Sequence, residues 1–131
     1  MWLYKNKPVT QLDHVPLSAV GFIYLIEDVN TPFYYIGRKN LYSVRTLPPL
    51  KGYKRKRKVF KQSNWVNYQS SNDTVKKWIS PKKTILKWCY SKKEMTYEEN
   101  KALYCHNVLE DPNAVNENIS GKFYKQEFKK D

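Results

Sequence analysis

Two short apolar and aromatic runs, Gly21 to Ile26 and Phe33 to Ile36, flank the polar stretch Asp28-Val29-Asn30-Thr31-Pro32. Strand formers on either side of turn formers predict a β-hairpin. With Glu27 and Pro32 closing the loop, antiparallel pairing sets Tyr24 opposite Tyr35, two phenols side by side on one sheet face. A one-residue slip would part them. Ahead of the hairpin, residues 1–20 hold Pro8 and Pro16 in a mixed polar pattern and predict an extended arm or edge strand. Behind it, Arg38 to Thr46 reads as a short helix or turn ended by Pro48-Pro49. Asp73 to Ile79 reads as a brief helix capped by Asp73 or Asn72 and stopped by Pro81. Lys83 to Tyr90 is rich in strand formers and makes a third strand. A last helix spans about Thr96 to Leu109, with Met95, Glu99, Ala102, Leu103 and His106 on one face. Together these elements predict an α+β fold, a three-stranded antiparallel sheet flanked by helices, over residues 21–121.

Glu99 lies within the apolar stripe of that helix, and an acid there needs a partner. One reading is local: Thr96-Tyr97-Glu98-Glu99 is a capping box in which Glu99 reaches back to the helix start. Ser91-Lys92-Lys93-Glu94 is an equally good box, and a helix that starts there leaves Glu99 free. Glu98, on the wetter face, is the alternative acid.

Length allows one domain with a packed core: 131 residues, 40% hydrophobic and 15% aromatic. No apolar run has membrane-spanning length and Met1 to Thr10 is too polar for a signal peptide, so a soluble, cytoplasmic protein is expected. Cys89 and Cys105 predict a reduced pair without a function, and His14 is isolated.

Charge changes the picture more. Lys and Arg number 24 against 12 acids, a formal net charge of +12, and no acid occurs between Val29 and Asn72. Such asymmetry points to a polyanion on one face. The run Lys51 to Lys61, KGYKRKRKVFK, supplies Lys51, Lys54, Arg55, Lys56, Arg57, Lys58 and Lys61. A nuclear-localisation signal or a merely solvated loop would have the same composition. A phosphate-binding loop is favoured because Tyr53 and Phe60 interrupt the charges with groups able to pack or stack. Contact with roughly six phosphates gives a log–log salt slope of about −5. The last residues, 122–131, add Lys122, Lys125, Lys129 and Lys130 as a basic tail.

Phe22-Ile23-Tyr24 followed by Tyr35-Ile36-Gly37 resembles the paired motifs of the GIY-YIG nuclease superfamily. The second motif is intact; in the first, Phe22 stands directly before Ile23 and Gly21 precedes it. Trp65-Val66-Asn67-Tyr68-Gln69-Ser70-Ser71 resembles a Trp-x-x-Tyr-x-Ser-Ser block of small phage members, the Seg-type nucleases among them. Tyr97 to Lys101 resembles the family's glutamate-bearing helix, and Val115 to Ile119 its asparagine region.

The resemblance implies a metal-dependent endonuclease that hydrolyses DNA phosphodiesters. Tyr24 would be the general base and Tyr35 would orient the attacking water. Arg45, eight residues past Gly37, would grip the scissile phosphate with a fork charged at every relevant pH. Glu99 would hold one Mg²⁺ (or Mn²⁺), and Asn116 would stand near the active site, with Ser71 as a further neighbour. Because a free phenol is barely ionised at neutral pH, Arg38, Lys39 and Arg45 are the cations expected to lower the pKa of Tyr24. Arg38, Lys39, the seven cations of the basic run and Trp65 would bind nucleic acid, Trp65 and Tyr68 either stacking on a base or packing on the core. A homo-oligomer is compatible with this reading. Two other classes share the same features: a nucleic-acid-binding module without catalysis, and a basic protein that binds an acidic partner.

Overall fold

The computed structural model describes residues 1–125. Its centre is β3 (Gly21–Glu27), flanked by β4 (Tyr34–Asn40) and β7 (Lys82–Cys89), both antiparallel to it. The three expected strands are therefore present, but the sheet is wider and mixed. The first residues fold as β1 (Trp2–Tyr4) and β2 (Lys7–Val9), and β1 pairs with β7 in parallel, giving the order β2-β1-β7-β3-β4. Trp2 makes this addition worthwhile: its ring is wholly buried and its Nε1 donates to the Trp65 carbonyl at 2.6 Å. Burying one such indole stabilises by about 2–3 kcal/mol.

Strict alternation along β3 divides the core in two. Phe22, Tyr24 and Ile26 join Trp2, Trp65, Ile85 and Trp88 on one face; Ile23 joins Ile36, Met95, Leu103 and Ile119 on the other. The second face is covered by α2 (Lys92–Cys105), and the first by the loop from Ser63 through the short α1 (Asp73–Lys76). Asn72 caps α1 with its side chain on the amides of Thr74 and Val75.

Helix α2 begins earlier than its apolar stripe suggests. Ser91 is the N-cap, its hydroxyl accepting from the Glu94 amide, and Glu94 accepts from the Tyr90 amide. The earlier capping box therefore wins, and Glu99 serves as no cap. The helix also ends sooner, at Cys105, and His106 is exposed rather than part of the buried stripe.

The largest correction concerns residues 38–62. Arg38 to Thr46 is neither helix nor turn: β4 runs on to Asn40, and β5 (Tyr42–Leu47) pairs with β6 (Arg57–Gln62) in a separate two-stranded ribbon. The expected basic loop is thus half a ribbon and its tip, exposed over nearly all its length. A short hairpin, β8 (Asn118–Ile119) with β9 (Phe123–Tyr124), follows α2. The described residues hold no helix long and apolar enough to cross a membrane. Cys89 is buried, which pushes its thiol up to about 11, and Cys105 is exposed; both are free thiols. Lys129 and Lys130 lie outside the described residues.

Candidate active site

The site is built around the edge strand β4, because alternation sends neighbouring side chains to opposite faces. Tyr35, Gly37 and Lys39 share the face of Tyr24, whereas Ile36 and Arg38 turn toward α2. Register differs from expectation by two residues: Tyr24 pairs with Gly37, and Tyr35 with Ile26. The Asp28 side chain enlarges the turn by accepting from the Asn30 amide and the Thr31 hydroxyl, so Glu27 meets Tyr34 instead of Pro32. An even offset keeps both phenols on one face, with ring centroids 6.2 Å apart.

On that face, Tyr24 is almost wholly buried, with Tyr68 edge-on at 6.2 Å. Burial drives its phenol well above the ordinary value, and a hydrogen bond with Ser70 only partly opposes this. The cations expected to lower it do not figure among its influences: beyond burial and Ser70, only the neighbouring phenols Tyr35 and Tyr68 act on it, and both raise it. Tyr35 is half-buried; burial, then the charge of Glu99, raise its pKa, and Ser70 again acts the other way. Ser70 is therefore shared by the two phenols. It is buried, holds a φ of +78° and accepts from the Asn72 amide at 3.1 Å. Sequence reasoning named its neighbour Ser71. Lys39 places its ammonium 4.0 Å from the centre of the Tyr68 ring.

On the helix face, Glu99 Oε1 lies 3.7 Å from Arg38 Nε, and Arg38 Nη1 donates to the Thr96 hydroxyl at 2.8 Å. Burial raises the pKa of Glu99 while Arg38 pulls it down. The two faces meet in a polar cleft of about 270 Å³ lined by Tyr35, Asn72, Glu99, Glu117, Asn118 and Ser120. Carboxylate, phenol, amide and hydroxyl oxygens line it, hard donors of the kind a divalent cation such as Mg²⁺ or Mn²⁺ takes, although among the described residues no three His, Cys, Asp or Glu side chains gather as a metal site. A partly desolvated carboxylate favours such a guest. Glu98 stands apart, with its charge felt at Cys89.

Asn116 does reach this edge, as a clasp rather than a reagent. Its Oδ1 accepts from the Ile36 amide at 3.1 Å and its Nδ2 donates to the Ile36 carbonyl at 2.7 Å. The backbone bridge between Tyr34 and Ala114 precedes it, so the side chain carries on where strand pairing stops. Lys125, expected as loose charge, donates to the carbonyls of Asp111 and Ala114 and secures the same segment.

Other expected site residues fall elsewhere. Arg45 is on the ribbon, exposed and paired with Val59, so the guanidinium that meets Glu99 is that of Arg38. Trp65 is wholly buried in the core and has no face to offer a base. Lys51, Lys54, Arg55, Lys56, Arg57, Lys58 and Lys61 are all exposed on the ribbon or its tip.

Among known families, the model described as "Putative endonuclease segE, GIY-YIG domain" matches residues 2–127. No curated protein and no solved structure matches the chain. With nearly its whole length under that match, and with the paired tyrosines on one face of the sheet, the chain belongs to the SegE-type GIY-YIG endonuclease family.

Proposed function

We propose that the protein hydrolyses DNA phosphodiesters at the edge of β4 with the help of one divalent cation. The observation that carries this reading is the meeting of Tyr35 and Glu99 in one polar cleft, with Arg38 against the carboxylate. Glu99 would hold Mg²⁺ or Mn²⁺, which when bound offsets negative charge on the phosphate and leaving oxygen and favours ionisation beside it.

The remaining chemistry belongs to the chain. Arg38 leaves Glu99 to grip a nonbridging phosphate oxygen, a role its fork fits better than a lysine would. Tyr35 lines the cleft and Tyr24 lies deeper, which favours an exchange of their expected roles: Tyr35 acts as the phenolate, its own proton having passed to solvent, so that its Oη orients the attacking water and receives one proton from it, and Tyr24 steadies it through Ser70. General-base help of this kind is worth about 10²- to 10⁴-fold in rate. Asn116 holds the backbone between Tyr35 and Gly37.

Supercoiled plasmid incubated with and without Mg²⁺ tests the proposal. Wild type nicks or linearises it only with the metal, whereas Glu99→Gln binds DNA and leaves it intact. Undiminished cutting by Glu99→Gln would end the metal assignment, and no cutting by wild type with Mg²⁺ or Mn²⁺ would leave a DNA-binding module.

A further inference from the structure

The ribbon of β5 and β6 has dimensions, charge and exposure that the cleft does not use. It pairs six residues on each strand, from Tyr42 with Gln62 to Leu47 with Arg57. That makes it ~20 Å long, with two strands side by side about 5 Å apart. The domain covers neither face of it, apart from partial cover at Leu47. Register sorts its side chains: Ser43, Arg45, Leu47, Arg57, Val59 and Lys61 share one face, and Val44 and Phe60 stand opposite each other on the second.

We propose that this ribbon enters the major groove of duplex DNA and reads base edges with the face that carries Arg45, Arg57 and Lys61. The major groove is about 12 Å wide and admits a two-stranded ribbon, while the minor groove, about 6 Å wide, does not. Arginine is the side chain best suited to guanine O6 and N7. Lys51, Lys54, Arg55 and Lys56, at the tip, meet the flanking phosphates, and the absence of acids between Val29 and Asn72 leaves nothing in that stretch to repel them.

The stem fixes where the ribbon points. Leu41 is fully buried, its amide bonded to the Val20 carbonyl, and the Ser63 amide and hydroxyl bond to the carbonyls of Leu41 and Asn40. Arg38, which pairs with Glu99, is three residues before Leu41 on the same chain. Groove insertion and phosphate capture are thereby tied to one rigid strand. A-form RNA has a deep, narrow major groove that excludes a ribbon, so the partner is duplex DNA.

The inference rests on the reading that the chain acts on DNA, but its test needs no cleavage. Binding of a labelled mixed-sequence DNA duplex is measured without divalent metal, with methyl green competing for the major groove and netropsin for the minor. Methyl green displaces the protein and netropsin does not. Arg45→Gln with Arg57→Gln weakens binding about tenfold or more with little change in the salt slope, while Val44→Thr on the other face has no effect. Displacement by netropsin alone, equal affinity for an RNA duplex, or unchanged binding by the double variant would each overturn the proposal. Plasmid nicking followed in parallel separates the readings: nicking with a dispensable ribbon refutes the groove assignment, and groove binding without nicking refutes the nuclease.

Discussion

The Tyr24 hydroxyl lies so close over Gly37 that a methyl group on this glycine would come within 2.5 Å of the phenolic oxygen. It would also come within 2.9 Å of the Tyr35 ring. The glycine of the second motif is thus the space in which the two phenols meet, a matter of close approach rather than unusual backbone angles. Gly37→Ala is expected to cost about 1–3 kcal/mol in urea unfolding. Plasmid nicking should fall about a hundredfold, since displacements of an ångström have that effect on catalysis. A fully active Gly37→Ala would show that the phenols need not be where they are.

Asn116 spans the Ile36 peptide with both atoms of its amide. Asn116→Ala strands a buried N–H and C=O and should destabilise by about 2–3 kcal/mol. Asn116→Asp keeps the acceptor but buries a carboxylate oxygen against the Ile36 carbonyl, so at neutral pH it should be no more stable than alanine. The order of the three unfolding midpoints checks this; a midpoint unchanged by alanine would refute the clasp.

Arg38 contacts Glu99 and Thr96, yet is nearly half exposed. Its removal should leave the folded state almost as stable, because exposed ion pairs contribute at most about 1 kcal/mol. Nicking is expected to drop about a hundredfold in Arg38→Ala and to be only partly restored in Arg38→Lys, which lacks the fork. Equal loss of stability and activity would instead mark Arg38 as structural.

Alkaline stability should follow a rise and then a fall. Lys83 is buried, donates to the Tyr68 carbonyl at 2.8 Å and faces the Trp2 ring; burial brings its pKa down to about 8, from 10.5. Between those values the unfolded chain holds a proton that the folded one has released, so stability increases with pH in that window. Tyr24, Tyr34 and Tyr35 act oppositely: burial first raises each above 10.0, and the stability they contribute is lost as pH climbs past that point. Lys83→Met is expected to shrink the rise in urea midpoint, leaving the part due to Lys39 and Lys125, which burial also lowers, and to keep the fall. An undiminished rise would mean that Lys83 does not cause it.

Much of this arrangement could be read from local pattern. The shared face of Tyr24 and Tyr35 follows from alternation and survives any even shift in pairing, and the freedom of Glu99 follows from the Ser91 capping box. Arg38 was not readable as the partner of Glu99, because Arg38-Lys39-Asn40 has no apolar residue to betray a strand, and the alternation of Tyr42-Ser43-Val44-Arg45 starts only beyond it. Only the continuation of β4 turns Arg38 toward the helix. Ser70 stood beside Ser71 in the Trp-x-x-Tyr-x-Ser-Ser block with nothing local to prefer it: its role comes from a positive φ and from burial. Trp65 was ambiguous for a related reason, since polar neighbours surround an indole whose burial depends on Trp2, 63 residues away. The parallel pairing of β1 with β7 is likewise a contact between distant segments that no local window contains.

The clasp at Ile36 also has a bearing on synthesis. A nascent polypeptide that has emerged as far as α2 already contains both phenols, Arg38 and Glu99, but the residue that steadies the strand between them has yet to leave the ribosome. Such a half-made chain has both phenols on an unsupported rim, so on the proposed function competence to cut DNA comes late in translation.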